Sequence, residues 1–230
     1  MSEPRGMFIA LEGIDGSGTS TQTRLLAARL RGLGYRVLET CEPSRGPIGR
    51  MIRERLSTRS APIEPATLAL LFAADRLEHV AREIEPALAD GVIVISDRYV
   101  LSSLVYQSLE CDGPWVTEIN RHARWPDLCV LVGLPFEEAV SRVDARRGEK
   151  ERFDAPDLQR RLAAGYQRAF EVQRPGPIAA VDGSLSVEAV TDAIASLCAD
   201  AGLSRRSTGP GAALTDGCAA APPPARMPEK

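Results

Sequence analysis

Residues Gly13-Ile14-Asp15-Gly16-Ser17-Gly18-Thr19-Ser20 form a glycine-rich turn between two different patterns. Met7-Phe8-Ile9-Ala10-Leu11 before it reads as a short apolar strand, and the run from Thr21 to Leu30 after it has helical spacing. A strand, a glycine loop and a helix start aim backbone N–H groups and the positive end of a helix dipole at one point, which suits a phosphate. The established pattern for such a loop is G-x-x-x-x-G-K-[ST], and here Thr19 stands where the lysine belongs. Without the lysine, a plain strand-to-helix turn made by Gly13, Gly16 and Gly18 is the alternative. The rest of the chain has to decide.

The surrounding pattern is an alternation. Apolar strand-like runs occur at Phe8–Leu11, Arg36–Thr40, Val92–Ser96, Leu128–Leu134 and Pro177–Val181. Helical stretches lie between them, at about 19–33, 47–57, 64–90, 101–109, 115–123, 135–146, 156–173 and 186–200. The runs are rich in Val, Ile and Leu without clean alternation, as expected of parallel strands covered on both faces. The expected architecture is therefore α/β: a parallel, mainly five-stranded sheet between helical layers, with its ligand at the carboxyl ends of the strands. The domain is expected to span 1–202. From 203 to 230 the composition turns to Pro, Ala and Gly with little apolar periodicity, which reads as a disordered tail. A proline-rich docking peptide is the functional alternative for that tail.

Charge and cysteine content narrow the class further. A net charge of −3 over 230 residues gives no reason to expect nucleic acid or an anionic membrane as partner. No apolar run reaches membrane-spanning length, and residues 1–6 do not read as a signal peptide. Cys41, Cys111, Cys129, Cys198 and Cys218 make no metal spacing, which fits reduced thiols in a cytoplasmic protein. His79 and His122 lie too far apart in sequence to suggest a histidine metal site. Lys150 and Lys230 are the only lysines, so nearly all positive charge is arginine.

Val92–Ser96 leads directly into Asp97-Arg98-Tyr99. An acid at the tip of a buried strand beside a phosphate loop can hold Mg²⁺. Taken alone, Asp97 would be a helix N-cap; Arg98 beside it fits a place where phosphate and metal meet. Phe72 and Arg76 are four apart and share a helix face, where an arginine sits awkwardly in a purely apolar core.

Several segments coincide in order and spacing: Leu11 to Gln22, Glu42-Pro43, Leu70-Leu71-Phe72-Ala73-Ala74-Asp75-Arg76, and Asp97-Arg98-Tyr99 through Tyr106-Gln107. Together they resemble the thymidylate kinases, over roughly residues 7–200. The resemblance implies transfer of the γ-phosphoryl of ATP to dTMP, with Mg²⁺ required. It implies that Gly13, Ile14, Asp15, Gly16, Ser17, Gly18, Thr19, Ser20 and Thr21 hold ATP, and that Ser20 and Asp97 hold metal. It places Asp15, Glu42, Pro43, Phe72, Arg76, Arg98, Ser102, Ser103, Tyr106 and Gln107 around dTMP. In that scheme Phe72 stacks on thymine, Arg76 meets its carbonyl edge, and Arg98 grips the monophosphate. Asp15 approaches the sugar, while Tyr106 and Gln107 wall off a 2′-hydroxyl; Ser102 and Ser103 make small polar contacts to the base. A lid at about 142–157 carries Arg147 and Arg152 to the donor phosphates, with Arg142, Arg146 and Lys150 nearby; a solvated charge cluster is the alternative there. The catalytic set implied is Asp15, Arg98, Arg147 and Arg152, and a homodimer is implied by the family alone.

Three departures bear on activity. Thr19 removes a charge from the loop, Cys41 replaces the arginine before Glu42-Pro43, and Ser108 replaces the usual glycine after Gln107. Two rival readings follow: a nucleotide-binding protein that has lost turnover, and a kinase for another nucleotide or nucleoside.

Overall fold

The computed structural model describes residues 6–57, 63–145, 156–172 and 176–203. Within them the sheet has five parallel strands in the order β2-β3-β1-β4-β5. They are β1 (Phe8–Glu12), β2 (Val37–Cys41), β3 (Ile93–Asp97), β4 (Leu128–Gly133) and β5 (Ile178–Asp182). Each lies within a residue or so of its expected run. β1, β3 and β4 are buried along almost their whole length, which explains their lack of alternation.

Side chains still divide by face. Ile9 and Leu11 of β1, Ile93 and Ile95 of β3, and Leu128, Val130 and Val132 of β4 pack beneath α1 (Thr19–Gly32) and α9 (Val187–Asp200). On the opposite face, Phe8, Ala10 and Val94 join one apolar cluster, while Cys129 and Leu131 join another. α5 (Val100–Tyr106) supplies Leu104 to the former and Val105 to the latter, and α8 (Pro156–Val172) supplies Leu162 and Tyr166 to the latter.

The order of strands positions the site. Leu11 and Cys41 both pair with Asp97, so the carboxyl ends of β1, β2 and β3 lie side by side. The glycine loop, Glu42-Pro43 and Asp97-Arg98 all leave from that edge, where open α/β sheets bind ligands.

Two helical expectations are corrected. The stretch at 64–90 is not one regular helix: α3 (Pro65–His79) runs into a π-turn at Val80–Ile84 and then α4 (Glu85–Ala89). Pro86 has no N–H and crowds the carbonyl four residues back, and the wider turn accommodates it. The helix expected at 115–123 is α6 (Gly113–Ile119); it starts earlier because Asp112 caps it by accepting from the Trp115 N–H at 3.0 Å. The remaining helices are α2 (Pro47–Leu56) and α7 (Phe136–Ala145). No described helix is long and apolar enough to cross a membrane.

Candidate active site

The glycine loop opens onto a helix end left uncapped. α3, α6 and α9 are each capped by their own Glu64, Asp112 and Ser186 side chains, whereas α1 begins at Gly18 with no side-chain cap and no acid in its first turn. The first N–H groups of a helix have no intrahelical partner, so those of α1 remain open to an anion. Gly18 has φ +96°, and Gly16 has φ +89° with room for no side chain, since a Cβ there would meet the Ala139 carbonyl oxygen at 2.5 Å. Ile14 turns its side chain into the core beside Leu101 and Leu162, so only its backbone serves the loop. The Ser17 hydroxyl is buried and lacks a partner, and Thr19 is buried at the first helical position.

Next to the loop is a cleft of about 310 Å³, lined by Gly16, Ser17, Gly18, Thr21, Arg142 and the turn after β5. Arg142 on α7 is paired with Glu138 and donates to the Gly183 carbonyl at 3.1 Å. Of this lining only the part after β5 and along α9 was not assigned from the sequence; the turn after β5 has no distinctive local motif. Arg147 and Arg152 lie outside the described residues, as do Arg146 and Lys150.

Ser20 donates its hydroxyl to Asp97 Oδ2, while Asp97 Oδ1 is buried with no partner. Asp97 is therefore bound to the loop and is not an N-cap; the cap position of α5 is Tyr99 and has no side-chain hydrogen bond. An orphaned carboxylate oxygen beside a hydroxyl at the phosphate loop fits the oxygen donors that Mg²⁺ prefers.

On the other side of Asp15 is a cavity of about 120 Å³. Its lining includes every residue expected around dTMP: Asp15, Glu42, Pro43, Phe72, Arg76, Arg98, Ser102, Ser103, Tyr106 and Gln107. Leu56 and Tyr99 are added to them. Phe72 is only half-buried at this wall, which sets it apart from ordinary core.

Arg98 has φ +66°, the only positive value of a non-glycine residue among those described. Its N–H donates to the Leu11 carbonyl at 2.9 Å and its own carbonyl accepts from Ser96 Oγ at 2.6 Å, so the turn is held from both sides. The guanidinium donates to Asp15 Oδ1, the Gly13 carbonyl and, at 3.2 Å, Tyr166 Oη. Asp15 also accepts from Tyr106 Oη at 3.1 Å and Gln159 Nε2 at 3.2 Å.

Arg76 is held more tightly still. Its guanidinium pairs with Glu42 at 2.7 Å and donates to Ser103 Oγ at 2.8 Å and to Asn120 Oδ1, leaving Nε buried and without a partner.

Sequence reasoning missed Glu12, Asn120, Gln159 and Tyr166. Glu12 closes a buried strand and accepts from the Tyr99 N–H at 3.0 Å and from Ser102 Oγ. An acid at the end of an apolar strand, immediately before a glycine loop, was the signal available for it. Burial pushes the Glu12 carboxyl up to about 7, against the lowering effect of Ser102 and Arg98. Burial would lower the His79 imidazolium, but its hydrogen bonds to Glu42 and Glu83 outweigh that and lift it to about 9.

Both groups bind protons more tightly in the folded chain. Folding stability should therefore fall as pH rises from 4.5 to about 7 through Glu12, and from 6.5 to about 9 through His79. Thermal melts across this range should show Tm declining by a few degrees, about 2–4 °C for each kcal/mol lost. Glu12→Gln should flatten the lower part and His79→Gln the upper part. A Tm that holds constant over the whole range would contradict both assignments.

The model of the family described as Thymidylate kinase matches residues 11–194. A probable thymidylate kinase of Pyrococcus abyssi is 43% identical over 202 residues, 84% of this chain and 96% of that protein. A thymidylate kinase of Thermomicrobium roseum is 43% identical over 194 residues, 81% of this chain and 91% of that one. A probable thymidylate kinase of Thermococcus gammatolerans is 43% identical over 175 residues, covering 73% and 84%.

Proposed function

The chain belongs to the thymidylate kinase family, and from that premise we propose how its own residues carry the reaction. Its activity is ATP-dependent transfer of the γ-phosphoryl group to dTMP, giving dTDP and ADP toward dTTP. The observation that carries the residue assignment is the convergence of Asp15, Arg76, Arg98 and Tyr106 on one cavity beside the glycine loop.

In this reading the donor phosphates lie over the N–H groups from Gly13 to Thr21, with the donor nucleoside in the cleft walled by Arg142. The monophosphate of dTMP meets Arg98, whose guanidinium Asp15 orients. The attacking phosphate oxygen is already anionic, so no side chain has to act as a strong base. Catalysis is then positioning and charge neutralisation. Ser20 and Asp97 would hold Mg²⁺, which when bound would supply positive charge at the transferring phosphates. Arg147 and Arg152, outside the described residues, would add positive charge to the same group.

The base lies between Phe72 and Arg76, and the sugar lies on Tyr106, whose Oη is tied to Asp15 and leaves little room for a 2′-hydroxyl. A coupled ADP-release assay over dTMP, dUMP, UMP, dCMP, dGMP and thymidine tests this. dTMP should be the best acceptor, dUMP weaker and UMP weaker still; equal turnover of UMP and dTMP would remove the tyrosine gate. Arg76→Ala should weaken dTMP binding by about 1–3 kcal/mol, the scale of a lost hydrogen bond to a charged group. Unchanged affinity would take Arg76 out of the site.

Thr19 is the one observation that favours a second reading, in which both nucleotides bind and nothing turns over. Retention of the Ser20–Asp97 pair and of Arg98 in its left-handed turn supports turnover instead.

A homodimer accompanies this reading. Leu70, Ala74, Leu77 and Ala81 are exposed along one side of α3 and the π-turn, with Met51 of α2 also exposed. Such an apolar stripe on one helix face is suited to a second copy of itself. Leu70→Glu with Leu77→Glu should convert the protein to a monomer in sedimentation velocity; a dimer that survives both would place the interface elsewhere. The reading also carries a cytoplasmic location, with which the free thiols of Cys41, Cys111, Cys129 and Cys198 accord.

A further inference from the structure

Behind the base wall runs a buried chain of charges that extends from Arg76 and Glu42 to His79 and Glu83, which the acceptor reading leaves unused. One oxygen of Glu42 pairs with Arg76 Nη2 at 2.7 Å. The other accepts from His79 Nδ1 at 3.2 Å. His79 Nε2 lies 2.7 Å from Thr40 Oγ1 and 3.4 Å from Glu83 Oε2. Glu42, Arg76 and His79 are each less than a tenth exposed, and only Glu83 reaches solvent. Signs alternate from Glu83 through His79 and Glu42 to Arg76, which balances the buried charge. His79 itself does not line the cavity. It sits immediately before the π-turn, a deviation that recurs at functional sites.

As a device for holding α3 to β2, this chain would be a poor choice. Buried ion pairs are often no more stabilising than apolar side chains of the same volume. What it does provide is a fixed orientation. Arg76 is gripped by Glu42, Ser103 and Asn120, and Glu42 in turn is held by His79. A guanidinium has only donors to offer. Held rigidly, it accepts a 4-keto pyrimidine and leaves a 4-amino one facing donor against donor. Free to swing, it can withdraw and admit the amino group.

We propose that His79 is a positioning residue for base selection, fixing Arg76 through Glu42 so that 4-keto pyrimidines are taken over 4-amino ones. The proposal rests on the reading that Arg76 meets the base.

The test compares kcat/KM for dTMP and dCMP in the full chain and in His79→Ala, Glu42→Gln, Arg76→Ala and the His79→Ala/Glu42→Gln double variant. His79→Ala should lower the dTMP-to-dCMP preference by at least about fivefold, through KM for dTMP, with kcat nearly unchanged. Glu42→Gln, which keeps the shape and removes the charge, should lose the same preference. The double variant should lose no more than Glu42→Gln alone, as expected of residues acting in series. Should His79→Ala fail to fold, His79→Gln is read by the same ratio. A purely structural role would lower Tm and leave the ratio untouched. If the ratio holds in the His79 and Glu42 variants but collapses in Arg76→Ala, the relay is wrong and Arg76 remains the base reader. If it holds in Arg76→Ala as well, the base reading itself fails and the proposal falls with it.

Discussion

Arg98→Ala should lower kcat by about 10²–10³, the scale of removing one preorganised donor from a reacting oxyanion. Two effects combine there. The variant deletes the guanidinium assigned to the acceptor phosphate, and it frees Asp15 Oδ1, which that guanidinium holds. Arg98→Lys should recover little, because an ammonium cannot bridge Asp15 and the Gly13 carbonyl as the planar fork does. Steady-state kinetics with dTMP near saturation separate the loss in kcat from any loss in binding. Retention of more than about a third of kcat in Arg98→Ala would remove Arg98 from the transition state.

Thr19→Lys should raise kcat about tenfold. A lysine ammonium adds a full positive charge against the phosphate oxygens, whereas the donors the loop now offers, backbone N–H groups and hydroxyls, are neutral. The gain stays below the full worth of a loop lysine if the lid arginines already neutralise part of the same charge. That condition is itself measurable. Arg152→Ala should cost at least about tenfold in the natural chain and distinctly less in the Thr19→Lys background. Equal losses in both backgrounds would show that loop and lid do not share the work. A silent natural chain that Thr19→Lys awakens would establish the second reading, nucleotide binding without turnover.

The parts of this molecule that local chemistry determines could be read in advance. Unbroken Val, Ile and Leu runs locate strands covered on both faces, and Leu128–Gly133 is buried along nearly its whole length as a result. Leu56 aside, the residues that line the cavity beside Asp15 could be grouped in advance because they sit in compact segments: the glycine loop, Glu42-Pro43, one turn of α3, and Arg98 through Gln107. Long-range partners were not legible. Nothing around Gln159 or Tyr166 distinguishes α8 from any amphipathic helix, yet both side chains reach across to the Asp15–Arg98 pair. Asn120 caps off the grip on Arg76 from an element 44 residues away. Glu12 lay inside the Leu11-to-Gln22 segment without a role of its own, yet its carboxylate ties β1 to the start of α5. Pro86 was the signal available inside the long helical pattern at 64–90, but sequence alone does not say whether a proline breaks, kinks or widens a helix.

The left-handed turn at Arg98 sets folding and chemistry against each other at a single position. Any residue with a Cβ carries a conformational cost there, on the order of 1–2 kcal/mol, and glycine alone escapes it. A library selected for heat resistance and nothing else should therefore drift toward glycine at this site. Its winners would be sturdier proteins and poor enzymes, so any effort to harden this fold has to exempt position 98 from the search.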